Sequence, residues 1–64
     1  MDPQIYAAIR NGGAAALGGI GQLQDALNIG MTDPNAPPNV SADYNTAMDL
    51  GKQLAALIAN YPAL

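Results

Sequence analysis

Sixty-four residues with no cysteine and no histidine allow one small domain, and they remove disulfide stapling and the usual zinc frameworks as its supports. Only 11% of the chain is charged, far below the roughly 25% of an ordinary soluble domain, so much of its surface is expected to be covered. The net charge of −3 sets five aspartates against Arg10 and Lys52, and two separated cations do not neutralise a row of phosphates, which disfavours direct nucleic-acid binding.

The start Met1-Asp2-Pro3-Gln4 lacks the basic region of a secretory signal, and no glycine follows Met1 to accept a myristoyl group, so neither export route is expected. Asp2 before Pro3 reads as a helix start, because the carboxylate can cap free amides and proline loses nothing at the first helical position. The first helix is predicted from about Pro3 to Ile29. Within it Ile9, Gly13, Ala16, Ile20, Leu23 and Leu27 alternate steps of four and three, as one face of a helix requires. Yet Gly12, Gly13, Gly18, Gly19 and Gly21 fall in the same stretch, and each interior glycine costs roughly 1 kcal/mol against alanine. A helix that keeps its apolar period despite such penalties is expected to recover them through close approach of another backbone. The longest weakly polar run, Asn11 to Leu23, is shorter than the roughly 20 residues of a spanning helix, so no conventional transmembrane anchor is expected.

Gly30 is placed to end the helix in the left-handed conformation. The connector of about residues 30–40 contains Pro34, Pro37 and Pro38, which keep it out of a helix and bias it toward extended polyproline II geometry. Ser41 then offers a side-chain cap, Asp43 suits the positive end of the first turn, and Pro62 marks a stop, predicting a second helix over about residues 42–60. Tyr44, Ala47, Gly51, Leu54, Ile58 and Tyr61 form its apolar seam. Folded back antiparallel, the two seams pair Leu27 with Tyr44, Leu23 with Ala47, Ile20 with Gly51, Ala16 with Leu54, Gly13 with Ile58 and Ile9 with Tyr61. Large faces small at most layers, as interdigitating helices need. The fold expected is therefore all-α, a single unit over residues 1–64, built as a two-helix antiparallel hairpin with a Pro-rich connector and stabilised by assembly.

The other faces carry the functional expectation. Ala8, Gly12, Ala15 and Gly19 line up beside the first seam, with Ala26 further along, in the small-residue spacing that admits a neighbouring backbone. On the second helix Leu50 and Leu57 extend the apolar arc on one flank, and Met48 and Ala55 on the other, wider than one partner helix covers. Ala8, Gly12, Ala15, Gly19, Met48, Leu50 and Leu57 are thus the candidate partner-interface residues, toward a protein partner or further copies of the chain.

Signals for chemistry are weak. Ser41 has no histidine to activate it, Lys52 sits at ordinary helix-surface spacing from Asp49, and no carboxylate pair has the spacing of acid–base work. Gly13 to Gly19 lacks the Lys-Ser/Thr ending of a phosphate loop. Thr32, Asp33 and Asn35 offer oxygens without the glycine turn and glutamate of a calcium loop, and Asn39-Val40-Ser41 matches a glycosylation sequon without a secretory signal. No catalytic residue, metal or cofactor is expected. Tyr6, Tyr44 and Tyr61 are read as packing and rim residues.

The Gly/Ala-rich stretch over residues 5–30 resembles the N-terminal segments of pilot and DNA-ejection proteins of tailed bacteriophages, and through that stretch, not the connector or second helix, the chain resembles their small minor virion proteins. The resemblance implies a virion component at capsid, portal or tail, and transfers no functional residue. The leading expectation is a non-enzymatic structural subunit of a virion or intracellular assembly. The alternatives are a membrane-active amphipathic helix, against which the acidic charge counts, and a small adaptor that folds on its partner.

Overall fold

The structure, a computed structural model, describes residues 1–63 and contains two helices, α1 (Pro3–Gly30) and α2 (Val40–Ile58), packed against each other as a hairpin. The start of α1 follows the local chemistry of its sequence: the Asp2 side chain accepts a 2.7 Å hydrogen bond from the Gln4 backbone N–H, and Pro3 occupies the first turn. The antiparallel register is fixed by three close approaches. A methyl group added at Gly13 would meet Ile58 Cγ1 at 2.7 Å, one at Gly51 would meet Ile20 Cγ2 at 3.4 Å, and one at Gly30 would meet Val40 Cγ1 at 3.4 Å. The first two are pairs the sequence places together.

The whole predicted seam of α2 faces inward: Tyr44, Gly51, Leu54, Ile58 and the following Tyr61 are half-buried, and Ala47 is fully buried. The seam of α1 is rotated from the prediction. Gly13, Ile20 and Leu27 lie on it as expected, but Leu17 and Gln24 are half-buried where Ala16 and Leu23 were expected, and both of those are exposed. Residues seven apart drift by only about 20° on a helix, so 13, 20 and 27 form a spine common to both stripes. The rotation brings in the larger Leu17 at the expense of Ala16, and it leaves Leu23 half outside.

Four further expectations, at the helix ends and in the connector, are also corrected. Gly30 does not take a left-handed conformation; it stays helical and the cap is Met31 at φ −63°, ψ −20°, whose N–H bonds the Leu27 carbonyl at 2.9 Å. The glycine serves the close approach of Val40 instead. The connector is a chain of turns, with little of the extended geometry expected. Asp33 accepts from the Asn35 backbone N–H through its carboxylate and from the Ala36 N–H through its carbonyl, with Pro34 at the second turn position that proline favours. Pro37 to Val40 closes a second turn in which Asn39, at φ −85° and ψ −6°, has the third-position geometry of a type I turn. Since that conformation is close to helical, α2 starts at Val40, and Ser41 lies inside it as an exposed residue without a capping role. Helix α2 ends at Ile58, two residues before the expected Asn60, because the Asn60 and Tyr61 N–H groups turn back to the Leu57 and Ile58 carbonyls.

That tight turn delivers the chain to α1. Arg10 donates to the Tyr61 carbonyl at 2.7 Å, the Tyr6 hydroxyl donates to the Pro62 carbonyl, and the Tyr6 and Tyr61 rings meet edge to face with centroids 5.6 Å apart. The open end of the hairpin is thereby clasped.

The result is a rod of 50 × 14 × 13 Å with a radius of gyration of 15.0 Å, against about 11 Å for a compact domain of this length. Its accessible surface is 4594 Å², where a compact chain of its 6.5 kDa would expose roughly 3,800 Å². Among the described residues Ala47 alone, 2% exposed, is a fully buried apolar side chain.

Two outcomes follow for this framework. Gly18→Ala, in open space, is expected to raise the thermal midpoint by adding about 1 kcal/mol of helix propensity, whereas Gly13→Ala lowers it by pushing Ile58 outward; circular dichroism melts of the two variants compare them directly. Arg10→Met is expected to lose about 1–2 kcal/mol, and amide exchange at Asn60 and Tyr61 should speed up relative to the middle of α2.

Candidate protein-interaction face

With the seam closed, three of the exposed large apolar side chains, Leu23, Leu50 and Leu57, gather along one side of the rod, while Met1, Ile5, Ile29 and Met31 lie outside the grooves there. Leu23 and Leu27 of α1 and Ala47 and Leu50 of α2, with Thr46 and Asp43 at the rim, line a shallow open groove toward the connector end. A second groove, lined by Ile20, Leu50, Gln53, Leu54 and Leu57, continues it toward the clasped end. Leu50 borders both, so the two form one strip. Leu23, Leu50 and Leu57 remain 50%, 47% and 51% exposed there.

Helical spacing extends the strip on α1: residues 12, 16, 19 and 23 follow steps of four, three and four and share one stripe, so Leu23 in the groove places Gly12, Ala16 and Gly19 on the same side. All three are exposed, and no atom lies within 4 Å of where a Cβ would stand at Gly12 or Gly19. Ala8 and Ala15, also exposed, flank this stripe on its outer edge. The face therefore has a thin α1 half toward the clasp and a bulky α2 half beside it. Toward the connector the order reverses, with Leu23 on α1 beside Ala47 on α2.

Of the candidate interface residues, Ala8, Gly12, Ala15, Gly19, Leu50 and Leu57 thus lie on one side. Met48 does not join them: it is half-buried, on the opposite edge of the seam. The other flank of α2 thus presents the half-buried Met48 and the small, exposed Ala55, and the far side of the hairpin also carries Asn28, Asn45 and Lys52. Sequence reasoning did not single out Leu23 as an outward-facing residue, because the period assigned it to the seam. Its signal was the competing stripe 12-16-19-23, visible in the same residues.

The strip is mostly apolar, with few polar groups. Asp43 is the one ionisable side chain lining the strip, and Thr46 and Gln53 supply its other polar groups. Among the described residues no cluster of three or more potential metal ligands forms, and no helix is long and apolar enough to cross a membrane. Comparison with known proteins finds no matching family model, no matching curated protein and no matching solved structure.

Gly19→Leu tests the stripe. It should increase the helical signal through propensity while blocking association in light scattering, and Gly18→Gln, which adds propensity on the opposite side of α1, should leave association intact.

Proposed function

We propose that this chain is a non-enzymatic structural subunit that packs its one apolar face against protein within a larger assembly. The observation that carries the reading is the imbalance between a single fully buried apolar side chain, Ala47, and three half-exposed leucines gathered on one continuous strip. Covering the rest of each leucine adds about 1 kcal/mol per side chain, a large gain for a hairpin of marginal size. The thin Gly12–Gly19 stripe beside those leucines supports a helical occupant, since small residues let a second backbone come near. The likeness of residues 5–30 to Gly/Ala-rich virion segments supports placing the assembly in a phage particle, at capsid, portal or tail. The net charge of −3 favours a protein surface over an anionic membrane.

Circular dichroism and light scattering along a dilution series test this reading. The isolated, fully dissociated chain is expected to show weak helix without a cooperative melt, with helicity gained on association with itself or with a protein partner. A dissociated chain that is fully helical and melts cooperatively at a midpoint independent of concentration would overturn it, because its face would then need no cover.

A further inference from the structure

The geometry points to Asn11 as a site of spontaneous deamidation, shut off while α1 is helical and open when α1 unwinds at Gly12. This rests on the local geometry of α1 and is independent of what covers the apolar strip.

Of the six asparagines in the chain, Asn11 is the one followed by glycine. In deamidation the backbone nitrogen of the next residue, having lost its proton to base, attacks the side-chain amide carbon. Ammonia leaves and a five-membered succinimide ring closes. Water then opens the ring: hydrolysis at the former side-chain carbonyl gives aspartate, and hydrolysis at the Asn11 backbone carbonyl gives isoaspartate. A Cβ on the attacking residue obstructs its approach, and Ile29, Ala36, Val40, Thr46 and Tyr61, which follow the other asparagines, all carry one. Gly12 does not. Both Asn11 and Gly12 are exposed, and no atom lies within 4 Å of where a Gly12 Cβ would stand, so water, base and the attacking nitrogen meet no obstruction from the rest of the chain.

The helix withholds the reaction in two ways. The Gly12 N–H that must lose its proton is directed at the Ala8 carbonyl by the helical hydrogen-bond pattern. Ring closure also requires Asn11 Cβ and the Gly12 nitrogen to eclipse about the Cα–C bond, which for an L residue means ψ near about −120°, while a helix holds ψ near about −42°. Asn11 therefore cannot react without leaving the helix. The same place is one where α1 is intrinsically weak, since Gly12 and Gly13 are consecutive, and each lowers helix propensity by roughly 1 kcal/mol against alanine. On either side stand the two restraints that tie this turn to α2, the Arg10 bond to the Tyr61 carbonyl and the contact of Gly13 with Ile58. Isoaspartate would route the main chain through the former side chain and add a backbone carbon between them, so Arg10 and Gly13 would no longer keep their helical phase. Each opening of α1 thus carries a chance of a permanent change at the clasped end.

The test incubates the full chain at mildly alkaline pH, at a concentration where circular dichroism shows its helices, beside a sample in which urea abolishes them. Peptide mapping by mass spectrometry follows each asparagine. In urea Asn11 is expected to deamidate fastest of the six, and Gly12→Ala to slow it by restoring a Cβ. In the helical chain the Asn11 rate is expected to fall at least about tenfold, which takes a local opening free energy of only about 1.4 kcal/mol. Equal rates in the two samples would overturn the helical gate, and an Asn11 no faster in urea than the other asparagines would overturn the site. The docking reading is decided instead by how helicity depends on concentration, so either can fail without the other.

Discussion

The hairpin depends on how closely its two helices approach at the glycines. Ile58 fills the notch left by Gly13, Ile20 lies against Gly51, and Val40 closes on Gly30, so each contact sets a branched side chain directly against the backbone of the other helix. Branched residues suit this, because they hold few rotamers and lose little freedom on packing. The same contacts fix the register, since any slip would set Ile58 against the Cβ of a neighbour instead of the space above Gly13. The turns of the connector and the Tyr6–Arg10 clasp then hold the two ends of an alignment the glycines determine.

Close approach has a price in volume. Thin seams bring backbones together but enclose little, and two helices have no third layer to shut the sides. Ala47 is fully buried while Tyr44, Leu54, Ile58 and Tyr61 stay partly open. Hydrophobic stabilisation scales with the apolar area removed from water, and here the removal is left half complete along one side. Exposed Gly12 and Gly19 sharpen the point, for each weakens α1 as a helix and meets nothing within its own chain.

How much of this the sequence disclosed depends on what kind of signal each feature leaves. The α2 seam was legible residue by residue, because Tyr44, Leu54, Ile58 and Tyr61 are large and their spacing admits one stripe. The α1 seam was legible at Ile9 and along its spine of Gly13, Ile20 and Leu27, and not between them, since two stripes share the spine positions and the choice between Ala16 and Leu17 is settled by what α2 presents. Gly30 was read for its conformational freedom when its use is proximity, a distinction that exists only once Val40 is in place. The clasp left no trace at all: its acceptors are the Tyr61 and Pro62 carbonyls, and a backbone carbonyl is the same at every residue. On the candidate face, period alone grouped Leu50 with Leu57 and lined up the small-residue stripe, and it also placed Met48 on the opposite flank of α2, where it lies half-buried at the edge of the seam.

The unequal size of the two flanks of α2 bears on what kind of assembly the geometry admits. Had Met48 and Ala55 been as large and as open as Leu50 and Leu57, each hairpin would have offered bulky apolar contacts on both sides, and repeated contacts of that kind propagate into open arrays unless a rotation closes them. With Leu23, Leu50 and Leu57 gathered on one side, the opposite side, with Asn28, Asn45 and Lys52, is the more polar of the two. A one-sided strip also brings a symmetry requirement: if the occupant is another copy, the same patch must complement itself, and an isologous contact closes at two.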